Sequence, residues 1–366
     1  MRDGSLRFEC RFHPVNYGFL FNMMEARAKT DGFAFVEFVS ARPMELVGLF
    51  EHFGFRLYGK SKSGVFMMTQ GAAVFLVNGN PNAFERRHGA SVRAMGIRVD
   101  DANLAHAQAL AGGALPASAV VEGEFVVDAP TILGIGDSLV YFVDTEFAGN
   151  FSMPVDARNG ATVDANILAV DHTSNIVHPG NLDKWANFYR DTFGFAEKQY
   201  LEVKGHMSGM RARSMVSPCG RVSIPVAAAA HDRPGVLNQN DEFIRDYGGE
   251  GIQHIALLTS DIEDTIRKLA AAGIEFMAAP SRNYYAAIDA RLPGHGLDVA
   301  RLAESGLLVD GKGPTRILLQ RFTKRQIGPV FFEIIERRGE DGFGEGNFKA
   351  LFESQEQDQQ RRGTLG

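Results

Sequence analysis

The sequence predicts an α+β fold of four βαβββ-type repeat units, forming two domains with curved mixed sheets. Three observations carry this. Residues 33–55 and 167–195 share one order: an apolar strand, a helix, then Phe-Gly-Phe, at Phe53-Gly54-Phe55 and Phe193-Gly194-Phe195. The match continues, because residues 95–99 followed by a helical 101–111 resemble residues 254–258 followed by 261–272, each closing on glycine. Finally, Val, Ile and Phe cluster in short runs while Leu and Ala recur at helical spacing, so strands and helices alternate. At 366 residues the chain exceeds the size at which one core keeps growing, and two domains are expected.

Along the chain, residues 1–30 read as an N-terminal extension. A strand near 33–39 leads to a helix around 44–52, and the second unit follows at 95–111. Gly134-Ile135-Gly136 starts like a dinucleotide fingerprint but lacks the third glycine and the following helix, so a hairpin turn is expected. Asp31-Gly32, residues 78–82, Asn159-Gly160 and residues 311–314 are turn or loop signals. Residues 156–161 form the best linker, which divides the chain into an N-terminal domain at 31–155 and a C-terminal domain at 161–366. In the latter, a strand at 167–172 and a helix at 182–192 open the third unit, and 254–272 opens the fourth.

Composition narrows the function classes. A formal charge of -6 with no long basic run points away from nucleic acid and anionic membranes and toward small molecules. The two cysteines, Cys10 and Cys219, make neither a disulfide framework nor a zinc set, which suits a reducing cytoplasm. No apolar stretch approaches the ~20 residues a membrane span needs. Within the first 30 residues, Asn22, Glu25, Arg27 and Lys29 follow the apolar pieces closely and no small-residue cleavage pattern is present.

Three segments carry chemistry: Val-Asp-His at 170–172, Gly-Ile-Gln-His at 251–254 and Phe-Phe-Glu at 331–333. Each sets a metal-ligand side chain in an apolar, strand-like run, giving His172, His254 and Glu333. Two imidazoles and one carboxylate are the set that holds Fe(II) on one face and leaves the other open to substrate and dioxygen. A lone histidine in an apolar strand is ordinarily a hydrogen-bonded core residue. Here the context repeats, since both histidines fall on first strands of consecutive units and Glu333 on the last strand of the final unit. Strands of equivalent units in a curved sheet converge on one concavity, in the C-terminal domain. A carboxylate flanked by Val330, Phe331, Phe332, Ile334 and Ile335 also requires a partner, because burying it alone costs several kcal/mol. The N-terminal half is an internal control: it carries Ala94 near the His254 position and Phe142 near the Glu333 position, so the fold itself does not demand the ligands. Zinc is the rival metal, although zinc hydrolases commonly pair ligands as H-E-x-x-H and no such pair occurs. The other histidines (His13, His52, His88, His106, His178, His206, His231 and His295) show no spacing for a second site.

These residues resemble the 4-hydroxyphenylpyruvate dioxygenase family of the vicinal oxygen chelate superfamily, over about residues 33–363. The resemblance rests on Val-Asp-His (170–172), Trp-Ala-Asn-Phe-Tyr (185–189), Gly-Glu-Gly-Ile-Gln-His-Ile-Ala (249–256), Leu-Leu-Gln-Arg-Phe (318–322), Gly-Pro-Val-Phe-Phe-Glu-Ile-Ile-Glu-Arg (328–337) and Gly-Phe-Gly-Glu-Gly-Asn-Phe-Lys-Ala-Leu-Phe (342–352). It implies an Fe(II) triad of His172, His254 and Glu333, with dioxygen as co-substrate. It further implies pocket glutamines at Gln239, Gln253 and Gln320, an aromatic clamp of Phe331, Phe348 and Phe352, a further pocket aromatic at Phe322, and a C-terminal lid helix over 342–356. Read without the family, Phe348 and Phe352 are an i, i+4 pair that any helix could bury. The implied reaction is oxidative decarboxylation of an aromatic 2-oxo acid, 4-hydroxyphenylpyruvate to homogentisate and CO₂, in tyrosine catabolism. A phenylalanine shell would exclude water and hold the ring. Two other readings stand beside it: 4-hydroxymandelate synthesis on the same scaffold, and a catalytically silent binding protein. Strand edges in such repeats commonly pair, so a homo-oligomer is expected.

Two positions depart from the family pattern. The serine in the strand before Ser217-Pro218-Cys219-Gly220 and the asparagine after Ile224-Pro225 are replaced by Ala212 and Ala227. Each lost hydrogen bond to substrate would cost on the order of 1 kcal/mol. A larger, less polar pocket with weakened selectivity for the 4-hydroxyl is expected, unless Ser214 or a water restores the network. Arg321 should point away from the pocket, since strand neighbours alternate faces.

Overall fold

The computed structural model describes residues 27–80, 82–119, 121, 125–152, 164–204, 209–230, 237–344, 346–347 and 363. The candidate linker at 156–161, Phe348 and Phe352, most of the 1–30 extension and most of the expected helix at 342–356 lie outside these residues.

The N-terminal half runs β1 (Thr30–Val39), α1 (Pro43–His52), β2 (Arg56–Ser61), β3 (Phe66–Gln70), β4 (Ala73–Asn78), α2 (Ala83–His88), β5 (Ser91–Val99), α3 (Ala102–Ala111), β6 (Thr131–Leu133), β7 (Leu139–Val143) and β8 (Phe151–Ser152). Its sheet has the order β6-β7-β5-β1-β4-β3-β2-β8. The C-terminal half runs β9 (Ile167–Val177), α4 (Leu182–Phe193), β10 (Ala196–Lys204), β11 (Gly209–Val216), β12 (Ser223–Ala230), α5 (Gln239–Tyr247), β13 (Gly251–Thr259), α6 (Ile262–Ala271), α7 (Arg282–Ala286), α8 (Ile288–Arg291), α9 (Val299–Ser305), β14 (Leu308–Gly311), β15 (Ile317–Phe322) and β16 (Phe331–Arg338). The second sheet has the order β10-β11-β12-β9-β13-β16-β15-β14. Both are mixed: β1 runs antiparallel to β5 and β5 parallel to β7, just as β9 runs antiparallel to β13 and β13 parallel to β16.

Local chemistry explains the repeat. Helices α3 and α6 each start on an aspartate whose side chain accepts a backbone N–H three residues on, Asp101 from Leu104 at 2.8 Å and Asp261 from Asp264 at 3.0 Å. Phe-Gly-Phe is a helix stop: Gly54 and Gly194 adopt φ of 87° and 67°, which turns the chain out of α1 and α4, while the flanking phenylalanines are buried. The Gly134 segment is the turn of the β6–β7 hairpin.

The sheets share their cores. Phe38, Phe50, Phe53 and Phe75 of the first half enclose Phe332 of β16, with the Phe53 and Phe332 rings 4.7 Å apart. A second shared cluster joins α3 and β7 to α4 and β12, where Phe142 meets Phe193 at 5.5 Å. Thus Phe332 and Ile334 face the partner half, and Phe331, Glu333 and Ile335 face the opposite side of β16.

Register corrects the internal control by one residue. Ala94 pairs with Leu139 as His254 pairs with Phe331, so the counterpart of Glu333 is Tyr141 and not Phe142. A shift of one residue changes the face, and Phe142 indeed packs on the helix side. Similarly, Phe35 pairs with Gly96 as His172 pairs with Ala256. The positions of His172, His254 and Glu333 are therefore held by Phe35, Ala94 and Tyr141 in the N-terminal half, where the Phe35 and Tyr141 rings pack at 5.3 Å. Apolar or aromatic side chains thus stand in the N-terminal half where two imidazoles and a carboxylate stand in the C-terminal half.

Truncating the ring that joins the halves, Phe332→Ala, is expected to cost about 3–5 kcal/mol. Urea unfolding should show a lower midpoint.

Candidate metal centre

Three central strands build the site. Ala256 of β13 lies between His172 on β9 and Glu333 on β16, in one row across the sheet. His254 is two residues earlier on β13 and shares that face. One ligand atom from each of His172, His254 and Glu333 falls within 4.8 Å of the others. The side chains are deeply buried, with residue exposures of 3%, 8% and 2%. Glu333 Oε2 is 3.2 Å from His172 Nε2 and 3.5 Å from His254 Nε2.

Each member is held differently. The other oxygen of Glu333 accepts a hydrogen bond from Gln320 Nε2 at 2.9 Å. His172 faces Asp171, whose Oδ1 lies 2.8 Å from Nδ1. Sequence neighbours on a strand ordinarily point to opposite faces, but Asp171 is the extra residue of a bulge: His172 pairs with Ala256 and Val170 with the next residue, Leu257. Arg337 of β16 then grips Asp171 with both arms, Nε to Oδ2 at 2.7 Å and Nη2 to Oδ1 at 2.8 Å. His254 has no comparable partner. Its Nδ1 is buried without a hydrogen bond among the described residues, and its ring stacks on Phe331 at 4.8 Å.

The electrostatics favour positive charge at this point. Burial opposes protonation of His172, yet the Glu333 charge and the hydrogen bond to Asp171 outweigh it and push this imidazole up to about 9. Burial, reinforced by the charge on His172, holds His254 well below the ordinary histidine value. Asp171 loses solvation too, but the bonds from Arg337 and His172 keep its carboxyl far below the usual range.

A small cavity opens on the three residues, walled by Ser174, Pro225, Gln320 and Phe322 and roofed by Phe343, Gly344 and Asn347. The cavity volume is about 30 Å³, enough to admit water. The roof is tied down through a hydrogen-bond relay. Val309 N–H donates to the Tyr284 hydroxyl (2.7 Å), which donates to Asn347 Oδ1 (2.6 Å), and Asn347 Nδ2 donates to Gln320 Oε1 (2.8 Å). At Gly344, φ is +79° and a Cβ would stand 2.3 Å from Gln320 Oε1, so only glycine lets the backbone approach this closely.

Of the residues expected from sequence, Gln320 and Phe322 reach the cavity wall, and Phe331 touches His254. Gln253 is buried at a second register shift on β13, and Gln239 is the first residue of α5, buried, with Oε1 unpartnered among the described residues. Neither borders the enclosed cavity. Ala212 and Ala227 are direct cross-strand partners, packed with Ile176, Phe243 and Tyr247 away from it. Arg321 lies on the far face of β15, over the Phe276 ring. Sequence reasoning missed Asp171, Arg337, Tyr284, Phe343 and Asn347. Arg337 carried a signal, since it sits four residues beyond Glu333 on the same strand face.

Residues 24–156 match the family described as hydroxyphenylpyruvate dioxygenase, HPPD, N-terminal. Residues 169–292 match the glyoxalase/bleomycin resistance protein/dioxygenase superfamily. The chain is 42% identical over 351 residues to a 4-hydroxyphenylpyruvate dioxygenase of Pseudomonas aeruginosa, covering 92% of this chain and 96% of that protein. It is also 42% identical over 353 residues to hemolysin VllY of Vibrio vulnificus, with coverages of 92% and 97%. A 4-hydroxyphenylpyruvate dioxygenase of Legionella pneumophila is 40% identical over 343 residues, with coverages of 92% and 96%. Among solved structures, a mutant 4-hydroxymandelate synthase from Streptomyces coelicolor shares the fold, with a TM-score of 0.74 at 23% identity over 90% of this chain and 99% of that one. A xylose isomerase-like TIM barrel/4-hydroxyphenylpyruvate dioxygenase fusion protein gives 0.76 at 26% identity, over 91% of this chain and 53% of the fusion. Among the described residues no helix is long and apolar enough to cross a membrane. The chain belongs to the 4-hydroxyphenylpyruvate dioxygenase family of metal-dependent dioxygenases.

Proposed function

We propose that the chain is a non-heme Fe(II) dioxygenase that turns 4-hydroxyphenylpyruvate and dioxygen into homogentisate and CO₂, as in tyrosine catabolism, with the iron held by His172, His254 and Glu333. The observation that carries this reading is the convergence of two imidazoles and one carboxylate, all buried, on one apolar-walled cavity. The donor set fits: two neutral nitrogens and one oxygen leave half the coordination sphere of a redox-active metal open. Iron held there supplies the oxidative decarboxylation of a 2-oxo acid and the accompanying hydroxylation.

The chain's own groups do the rest. Gln320 donates to one oxygen of Glu333, which keeps the other aimed at the two histidines. Phe322, Phe331 and Phe343 exclude water and position an aryl ring. An aryl 2-oxo acid is far larger than the enclosed space, so the roof of Phe343, Gly344 and Asn347 must move to admit it. Gln239 and Gln253 orient the substrate in this reading, and the unpartnered Gln239 Oε1 is an acceptor suited to a phenol. The family resemblance assigns Phe348 and Phe352 to the aromatic clamp as well. The protein would work in the cytoplasm as a homo-oligomer, independent of nucleic acid, with its two domains at 31–155 and 161–366.

Three outcomes are expected. Glu333→Ala should abolish oxygen uptake with the 2-oxo acid while far-UV circular dichroism is unchanged; retained uptake would refute the triad. Asn347→Ala leaves Gln320 Oε1 buried without its donor, which should lower stability by about 1–3 kcal/mol in denaturant titrations. If the substrate pocket extends beyond the described cavity to Ala212 and Ala227, as the family resemblance implies, this apolar pair should weaken discrimination by the 4-hydroxyl. Turnover of 4-hydroxyphenylpyruvate, phenylpyruvate and aliphatic 2-oxo acids measures this, and a strong preference for the first would make the two alanines neutral. Chromatography of the product decides between homogentisate and 4-hydroxymandelate.

A further inference from the structure

We propose that Asp171 and Arg337 are a positioning pair that sets how tightly this site holds its metal, and that Arg337 ties that setting to the roof of the cavity. The inference rests on the reading of His172, His254 and Glu333 as metal ligands and adds two residues to it.

Asp171 accepts from His172 Nδ1 at 2.8 Å, which in the neutral imidazole that a metal would require leaves the lone pair on Nε2, the nitrogen facing Glu333. Arg337 occupies both oxygens of Asp171 and prevents that carboxylate from turning away. Its remaining arm, Nη1, donates to Gly342 O at 2.6 Å and Glu340 O at 3.2 Å. The next residue, Phe343, sets its ring edge-on to His172 at 5.7 Å and forms part of the roof. One guanidinium thus holds both the orienter of a ligand and the strap above it. His254 Nδ1 has no such orienting partner among the described residues, and its ring is held by packing against Phe331 and Phe322.

The N-terminal half supports the assignment from inside the same chain. The bulge that turns Asp171 toward His172 recurs on β1, where Phe35 pairs with Gly96 and Phe33 with Ile97. Its extra residue is Ala34, beside Phe35 in the place of His172. The same register carries Arg337 to Thr145. The bulge belongs to the fold, but the acid and the arginine occur only in the half that has the histidines.

A purely structural ion pair joining β9 to β16 would make the same contacts, so the test reads the metal. Full-length protein stripped by chelator is titrated with Co(II) and followed by visible absorption, for wild type, Asp171→Asn and Arg337→Lys. The amide introduced by Asp171→Asn can donate to His172 Nδ1 and favour the tautomer that cannot ligate through Nε2. This variant should therefore bind Co(II) about 10–100-fold more weakly, with a changed absorption band. Arg337→Lys keeps the charge but loses the fork, and should lose less in the same direction. Thermal unfolding of the metal-free proteins confirms that they are folded. Wild-type uptake of Co(II) with unchanged affinity and spectrum in Asp171→Asn overturns this inference alone. If Asp171→Asn does not fold, unchanged affinity in Arg337→Lys overturns it. Wild-type protein that takes up no Co(II) overturns the metal reading and this inference together.

Discussion

The buried carboxylate of Glu333 is the constraint on which the site depends. It is in a strand whose neighbours are Phe331, Phe332, Ile334 and Ile335, and it is 2% exposed. Left alone there, its desolvation would cost several kcal/mol. Three side chains meet it: Gln320 donates to one oxygen, and Nε2 of His172 and of His254 lie near the other. Gln320 in turn fixes Asn347 and with it the roof. Phe332, the residue just before it, turns the other way and locks the strand into the phenylalanine cluster of the first half. A single strand therefore carries the buried carboxylate, the ring beside it and the anchor between the sheets.

Duplication explains why one concavity is chemical and the other packed. The two sheets have the same strand directions and the same bulge positions, including the shift that isolates Gln253 on β13 and Arg93 on β5. In the first half, Phe35 and Tyr141 fill the space, and Arg93 forms a buried pair with Glu37 at 3.3 Å while Asn78 bonds the same oxygen at 2.9 Å. That arrangement pairs one oxygen of Glu37 and leaves its other oxygen without a hydrogen bond among the described residues, where no second group of metal-ligating side chains converges. The scaffold supplies positions, and side-chain identity decides whether a position binds or packs.

Much of this was legible in the sequence because the signals were local. Phe-Gly-Phe marks a helix stop whatever surrounds it, and the aspartates at 101 and 261 cap helices by reaching three residues forward. The ligand types were visible as polar residues in apolar runs. What was not legible depended on register. The residue equivalent to Glu333 is Tyr141, one position from Phe142, and sequence carries no marker for that register or for the bulge that turns Asp171 onto the face of His172. The relay from Tyr284 through Asn347 to Gln320 spans residues 63 apart and then 27 apart, and only the folded chain brings them together.

Charge argues for the kind of substrate the site would accept. Asp171 and Arg337 cancel, so with both histidines neutral, as metal ligands must be, Glu333 is the net negative charge of the buried cluster. A divalent cation there would leave one positive charge in a cavity walled by Phe322, Phe343 and Pro225. In so apolar an enclosure an uncompensated charge is costly, and a monoanionic ligand such as a 2-oxo acid carboxylate would neutralise it. A dianion would over-compensate, and a neutral aldehyde or phenol would leave the excess in place. The same bookkeeping gives Arg337 its importance: without its charge, Asp171 would be a second uncompensated anion, the cluster would already be neutral with the cation bound, and the electrostatic reason to take up an oxo acid would be gone.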